Sequence, residues 1–199
     1  MSKTKPSVKI VNVVATASSD RGFDLDTICK AFPTAEYRPK VFPGLCLRLK
    51  KPKTATLIFA NGKMVCTGAR SASQAKMAIG AVVSALKGKG IPILATPTVH
   101  IQNIVASVGL GGEIDLERVV YDLKHTIYEP EQFPGAIYRM DNPRVVFLIF
   151  SNGNLVCVGA KMAKDVSRAV DKLKSKIEGK GAISYGDMPH KYRKLEKAR

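Results

Sequence analysis

Four phenylalanines stand in two matched pairs. Phe42 opens the stretch FPGLCLRLKKPKTATLIF and Phe59 closes it; Phe133 and Phe150 bound FPGAIYRMDNPRVVFLIF, again 17 residues apart. Each stretch carries an arginine, Arg48 or Arg139, at its seventh place. Phe42 sits beside Pro43-Gly44 at the start of a β-rich run, where a side chain can project from a loop. An apolar ring projecting in this way can wedge between stacked bases, opening a base step at a cost of roughly a few kcal/mol. Asn and Thr side chains nearby can donate to adenine N3 and thymine O2, the acceptors on the minor-groove edge of an A·T pair.

Other chemistries find little support. The cysteines, Cys29, Cys46, Cys66 and Cys157, form no C-x-x-C pair, and His100, His125 and His190 are scattered, so no metal site is expected. Cys66 and Cys157 occupy the matching patterns MVCTGA and LVCVGA and are expected to be reduced and packed. A Walker motif, a paired-carboxylate site and a Cys/His arrangement of catalytic spacing are all missing, so no enzyme activity and no cofactor are expected. No apolar run approaches the length of a membrane-spanning helix. The β-branched stretch after the early lysines reads as a first strand, not a secretory signal. A protein working inside a cell, with no membrane partner, is expected.

The charge is uneven. The 199 residues carry a net +16, of which residues 1–91, with 16 basic and 4 acidic residues, hold most. Residues 92–181 hold 11 basic against 10 acidic, and the last 18 residues hold 5 against 2. A basic excess of this size favours a polyanionic partner, most often nucleic acid. Scattered solvated lysines would explain the sum but not the imbalance.

The elements that must position these residues come from a duplication. Shifting the chain by 91 residues makes 16 of 34 positions identical between Tyr37–Arg70 and Tyr128–Lys161, and aligns Asn12 with Asn103 and Val14 with Val105. Two repeats, 7–91 and 92–181, are expected, followed by a basic segment at 182–199. Within each, a β-rich start leads to a helix capped by an aspartate (Asp24 in the first), then to three β-rich runs near 44–50, 54–60 and 63–69. Asn61-Gly62 and Asn152-Gly153 mark hairpin turns. A long helix over about 72–87 follows, with Ala75, Ala78, Ile79, Val82 and Leu86 at core spacing and Gly88 at its end.

Such units can join into one antiparallel sheet with helices on one face only. Strand alternation then puts Ile58, Cys66, Ile149 and Cys157 toward the helices. It puts Asn12, Val14, Leu57, Phe59, Val65 and Thr67, with their partners Asn103, Val105, Leu148, Phe150, Val156 and Val158, on the bare face. An uncovered apolar face marks a binding surface, or else the inside of a sandwich or a dimer. A floor of valines and leucines suits a groove in which adenine lacks the guanine amino group.

The motifs AEYRPKVF, KPKTATLIFANGKMVCTGAR, QNIVAS and YEPEQFPGAIYRM closely resemble the core of the TATA-box-binding protein family, from about Ser7 to Gly181. The wording of YEPEQFPG and VCTGA looks archaeal. The resemblance implies an α+β fold: two pseudo-symmetric repeats forming a saddle-shaped ten-stranded antiparallel sheet with four helices on its convex face. It implies a general initiation factor that binds the minor groove of the TATA element, kinks it, and docks a B-type initiation factor that brings RNA polymerase. This family is itself a standard instance of strand reading and DNA kinking, so the kink belongs to the resemblance.

By the same resemblance Phe42 and Phe59 wedge one end of the element, and Phe133 and Phe150 the other. Asn12 and Asn103 are the central amides, and Thr67 a central hydroxyl. Val14, Leu57, Val65, Val105, Leu148 and Val156 touch the groove floor. Arg48, Lys63, Arg70, Arg139 and Lys161 approach phosphates, and Glu129, Glu131 and Gln132 form the loop that receives the B-type factor. The chain departs from the pattern twice. Val158 stands where the second repeat usually has Thr, and Asn154 replaces the usual Lys. An architectural or paralogous DNA-bending protein with relaxed specificity is the alternative. Location follows: with the chromosome in an archaeal cytoplasm, or in the nucleus of a eukaryote.

Overall fold

The computed structural model describes residues 5–186. The first repeat runs through β1 (Ser7–Ser18), α1 (Leu25–Ala31), β2 (Glu36–Tyr37), β3 (Gly44–Leu49), β4 (Thr54–Phe59), β5 (Lys63–Ala69) and α2 (Ala72–Gly88). The second follows the same order with β6 (His100–Gly109), β7 (Glu113–Ile114), α3 (Leu116–Asp122), β8 (Thr126–Ile127), β9 (Ala136–Met140), β10 (Val145–Ile149), β11 (Asn154–Ala160) and α4 (Ala163–Gly179), and ends in β12 (Ile183–Ser184). Ten strands form one antiparallel sheet in the order β2-β3-β4-β5-β1-β6-β11-β10-β9-β8; β7 and β12 pair separately. The short strands β2, β7, β8 and β12 have two residues each, too few for alternation to reveal in the sequence.

The chain gathers into two compact units that differ from the repeats at their edges. One is Ile10–Asn103; the other runs from Ile104 onward and also takes in the chain up to Lys9. Local contacts account for both edges. Gln102 Nε2 donates to Thr16 Oγ1 at 2.8 Å, tying the start of β6 to the first unit. Ser7 lies against Gly109 in the second.

In the first unit α2 packs on β3, β4 and β5, and α1 on β2 and β3. Its core is the helix-side set of the strands, Val13, Ala15, Leu45, Leu47, Ile58, Met64 and Cys66, closed by Ala75, Ala78, Ile79, Val82 and Leu86 of α2. In the second, α4 covers β11 and α3 covers β8 and β9. Phe147, Ile149, Leu155 and Cys157 are fully buried there with Val166, Ala169, Val170, Leu173 and Ile177 of α4. Burial raises both buried thiols, that of Cys157 to about 12, so neither offers a thiolate at neutral pH.

Helix ends follow the sequence closely, with one exception. Asp24 caps α1 by accepting from Asp26 N and Thr27 N, and Asp115 caps α3 through Arg118 N. Hydrogen bonds from the Thr27 hydroxyl and amide hold the Asp24 carboxyl below its ordinary range. Ser71 caps α2 through Gln74 N at 3.0 Å, but Met162 stands in that place before α4 and makes no side-chain cap.

The first residues of the segment expected as a tail, 182–199, make contacts within the fold. Ile183 pairs with Ile114 and Ser184 with Glu113. Tyr185 donates its hydroxyl to Glu178 at 2.8 Å. The remainder of that expected segment, 187–199, lies outside the described residues.

Candidate nucleic-acid interface

Each half of the sheet has one face under helices and one without. On the first, β4 alternates between buried Thr54, Thr56 and Ile58 and half-buried Ala55, Leu57 and Phe59. In β5, Met64 and Cys66 are buried while Val65 and Thr67 are half-buried. Register joins these into a surface: Leu57 faces Val65 on one side and Cys46 on the other, and Ala55 faces Thr67. β1 adds Asn12, Val14 and Thr16, all half-buried.

The second unit repeats the pattern. Leu148 lies between Val156 and Ile137, and Val146 faces Val158. Half-buried Val105 on β6 pairs with Val158. Every apolar or amide residue assigned to the bare face by alternation is half-buried, including Asn103, Phe150, Val156 and Val158. Cys46, Ala55, Ile137 and Val146 share these faces and were missed. The same parity extended to β3 and β9, and along β4 and β10, identifies them.

A glycine shapes each phenylalanine pair. Phe42 and Phe59 meet edge to face with ring centroids 5.9 Å apart, and Phe133 and Phe150 at 5.8 Å. A β-carbon on Gly44 would lie 2.7 Å from Phe42 Cε1 and 2.9 Å from Phe59 Cε1. One on Gly135 would lie 2.9 Å from Phe133 Cε1 and 3.1 Å from both Phe150 Cε1 and the Ile149 carbonyl oxygen. The Phe-Pro-Gly motif therefore needs glycine as the space under two rings. The backbone of Phe59 and Phe150 is pinned by the hairpins that follow. Gly62 N donates to Phe59 O and Gly153 N to Phe150 O, both at 3.0 Å. Gly62 (φ 88°) and Gly153 (φ 82°) adopt the left-handed conformation of a three-residue hairpin loop.

One central amide has its orientation set by the backbone. β5 bulges at Gly68, which has φ 93°, so the register with β1 shifts between Val13 and Ala15. The bulge turns Gly68 N–H onto Asn12 Oδ1 at 2.8 Å. With Oδ1 so engaged, Nδ2 is the donor end of the amide; it lies 3.2 Å from Thr67 Oγ1. Asn12 and Thr67 thus form a small donor cluster within an apolar surface. Val158, in the corresponding place of β11, has no hydroxyl.

The expected phosphate contacts, Arg48, Lys63, Arg70, Arg139 and Lys161, are all exposed. Arg48 is held by Glu36, Nε to Oε1 at 3.2 Å, which strengthens its charged form. The pair engages Nε alone, which leaves the guanidinium's other N–H groups as donors. Lys63 pairs with Ser18 across the ladder, while Asn154 pairs with Gly109.

The loops before the two pairs share one turn and differ in charge. Arg38 O accepts from Val41 N and Phe42 N, and Glu129 O accepts from Gln132 N and Phe133 N, each at 2.9 Å. The first reads RPKVF and the second EPEQF. Glu129, Glu131 and Gln132 are exposed.

Among the described residues no group of three or more His, Cys, Asp or Glu could hold a metal ion. No helix among them is long and apolar enough to cross a membrane.

Comparison with known proteins agrees with this arrangement. A TATA-box-binding protein of Pyrobaculum calidifontis is 50% identical over 183 residues, covering 92% of each chain. One of Methanothermobacter thermautotrophicus is 45% identical over 87% of this chain and 96% of its own. The solved structure of Methanococcus jannaschii TBP superposes with a TM-score of 0.80 at 43% identity, covering 87% of this chain and 99% of that one. The family described as "Transcription factor TFIID (or TATA-binding protein, TBP)" matches twice, at residues 7–88 and 98–179, and the chain belongs to that family.

Proposed function

We propose that the two bare sheet faces bind the minor groove of an A·T-rich promoter element, and that Phe42 with Phe59 and Phe133 with Phe150 insert at its ends to kink it. The observation that carries this reading is the pairing of each ring couple with a glycine that admits it, on a face otherwise lined by half-buried aliphatic residues. Wedging between base steps costs roughly a few kcal/mol per step, which the added apolar contact offsets. Asn12 Nδ2 and the Thr67 hydroxyl donate to adenine N3 or thymine O2, for which a guanine amino group would be a clash. The relatives' name, TATA-box-binding protein, supports the same element.

Glu129, Glu131 and Gln132 serve a protein partner. Negative charge beside a DNA-inserting ring opposes DNA binding, and the first unit has Arg38 and Lys40 in the matching turn. A B-type initiation factor with basic residues fits this loop, and through it RNA polymerase. The protein acts without catalysis.

Selection from a random duplex pool tests the reading. Enrichment of TATA-like sequences is expected, with bent winners. Tight binding with no enrichment would favour an architectural bending protein of relaxed specificity, a role that Val158 in place of a central hydroxyl would suit.

A further inference from the structure

A row of basic residues runs along one side of α4. Arg168, Lys172 and Lys176 recur at every fourth position, and Lys180 continues the row at the helix C-cap. All four are exposed. The two ends of the row are ion-paired: Arg168 Nη2 lies 3.7 Å from Asp165 Oδ1, and Lys180 Nζ 3.5 Å from Asp122 Oδ1. The two middle residues are held by neutral oxygens instead. Lys172 Nζ donates to the Asn142 carbonyl oxygen and Lys176 Nζ to the Tyr138 hydroxyl, each at 2.9 Å. These partners fix the two ammonium groups without neutralising them.

Both groups border a cavity of about 930 Å³ between α4, the corner that joins α3 to β8, and the end of β9. That is the size of a ligand site. Leu123, Tyr138 and Met140, all buried, give the cavity an apolar floor. His125, at φ 64°, makes the corner, and its carbonyl oxygen accepts from Arg139 N at 3.1 Å. The whole cavity lies within the second unit.

The duplication shows that the fold does not require the row. Where α4 carries Arg168, Lys172 and Lys176, the matching places of α2 carry Met77, Ala81 and Ala85. Where β9 carries Tyr138, β3 carries Leu47. The same helix and strand form there without the lysines or the hydroxyl.

We propose that this cavity docks an acidic, amphipathic segment of a protein partner, with carboxylates one helical turn apart on Lys172 and Lys176 and an apolar side chain on the floor beside Tyr138. Charge and floor together choose the occupant. Two fixed, unneutralised ammonium groups call for anions, while an apolar floor offers a phosphate or a DNA backbone nothing to bind. Asp141 and Asp171 also line the cavity, so a polyanion would be repelled there, whereas a peptide can place uncharged residues opposite them. Tyr138 and Met140 are buried on the helix side of β9, and half-buried Ile137 belongs to the bare face. The segment and DNA would therefore use opposite faces of the sheet, and the docking site does not depend on the DNA-binding reading.

The test titrates the full-length protein against a dye-labelled peptide of repeated Glu-Leu-Ala-Gln, whose carboxylates recur at every fourth place beside a row of leucines. A Gln-Leu-Ala-Gln peptide keeps the shape and drops the charge. One double variant, Lys172→Ala with Lys176→Ala, takes the residues that the first unit already carries. A second, Lys87→Ala with Lys164→Ala, removes the same charge from exposed places on α2 and α4 away from the cavity. The parent should bind the Glu peptide about tenfold more tightly than the Gln peptide, a few-fold for each exposed ion pair. The first variant should lose that difference and the second keep it, while the two bind a TATA duplex alike. Lys172→Gln with Lys176→Gln, which retains more of each stem, repeats the measurement if the alanines lower the melting temperature. Equal binding of the two peptides, no binding of either, or equal loss in both variants would overturn the inference. Displacement of the Glu peptide by inorganic phosphate, but not by chloride at the same ionic strength, would overturn it in favour of a simple anion site. Loss of TATA affinity in the first variant alone would assign the row to DNA instead.

Discussion

Gly44 faces Phe59 across the β3–β4 ladder, and the space a side chain would fill at Gly44 is taken by the edges of Phe59 and Phe42. The ring pair is therefore built into the strand. Gly44→Ala should displace ring ends, which can swing, and so reduce DNA bending with little loss of fold stability. Gly135→Ala should cost more stability, since its β-carbon also meets the Ile149 carbonyl. Thermal unfolding beside a bend measurement separates the two effects. A Gly44→Ala protein that bends DNA like the parent would show that the ring geometry is not needed.

The donor cluster predicts an asymmetry between the units. Thr67→Val should lower affinity for a TATA duplex by about 1 kcal/mol, the net contribution of one hydrogen bond, and Val158→Thr should raise it by a similar amount. Binding isotherms at fixed salt decide. Unchanged affinity in both would make the central hydroxyls irrelevant.

Charge reversal at Glu129 and Glu131 should leave binary DNA binding intact or stronger, because two negative charges leave the neighbourhood of Phe133. The ternary complex with a B-type factor should weaken. Equal ternary affinity in variant and parent would remove the loop from that interface.

Thiol reactivity maps the bare face without mutation. Cys46 lies on it beside Leu57, Cys29 lies on α1, and both are half-buried; Cys66 and Cys157 are buried. In the folded protein an alkylating reagent should modify Cys29 and Cys46 only, and a bound TATA duplex should protect Cys46 but not Cys29. Protection of neither would place the DNA elsewhere.

The missing cap at α4 predicts a stabilising change. Met162→Ser should add about 1 kcal/mol to unfolding free energy and Ser71→Ala should remove about as much, by chemical denaturation.

Much of this was legible in the sequence because the duplication gave every pattern twice. Period-two alternation placed Leu57, Val65, Leu148 and Val156 on one face and Ile58, Cys66, Ile149 and Cys157 on the other. Helical spacing placed the α2 core. The rest depended on contacts distant in sequence. Nothing in the spelling of Asn12 shows that the Gly68 amide, 56 residues on, orients it, since that follows from a bulge. The Arg48–Glu36 pair needs the β2–β3 register, and β2 is too short to announce itself. The closeness of Ser7 and Gly109 joins residues far apart in the chain.

The measurement that tests the central claim most directly is the bend of a TATA duplex bound by Phe59→Ala and by Phe150→Ala, read by fluorescence transfer between the duplex ends, with thermal stability measured in parallel. Both rings are half-buried and belong to the uncovered face, so each variant should keep a near-parental melting temperature while bending less and dissociating faster. A parental bend in both folded variants, or collapse of the fold in either, would contradict a wedge role.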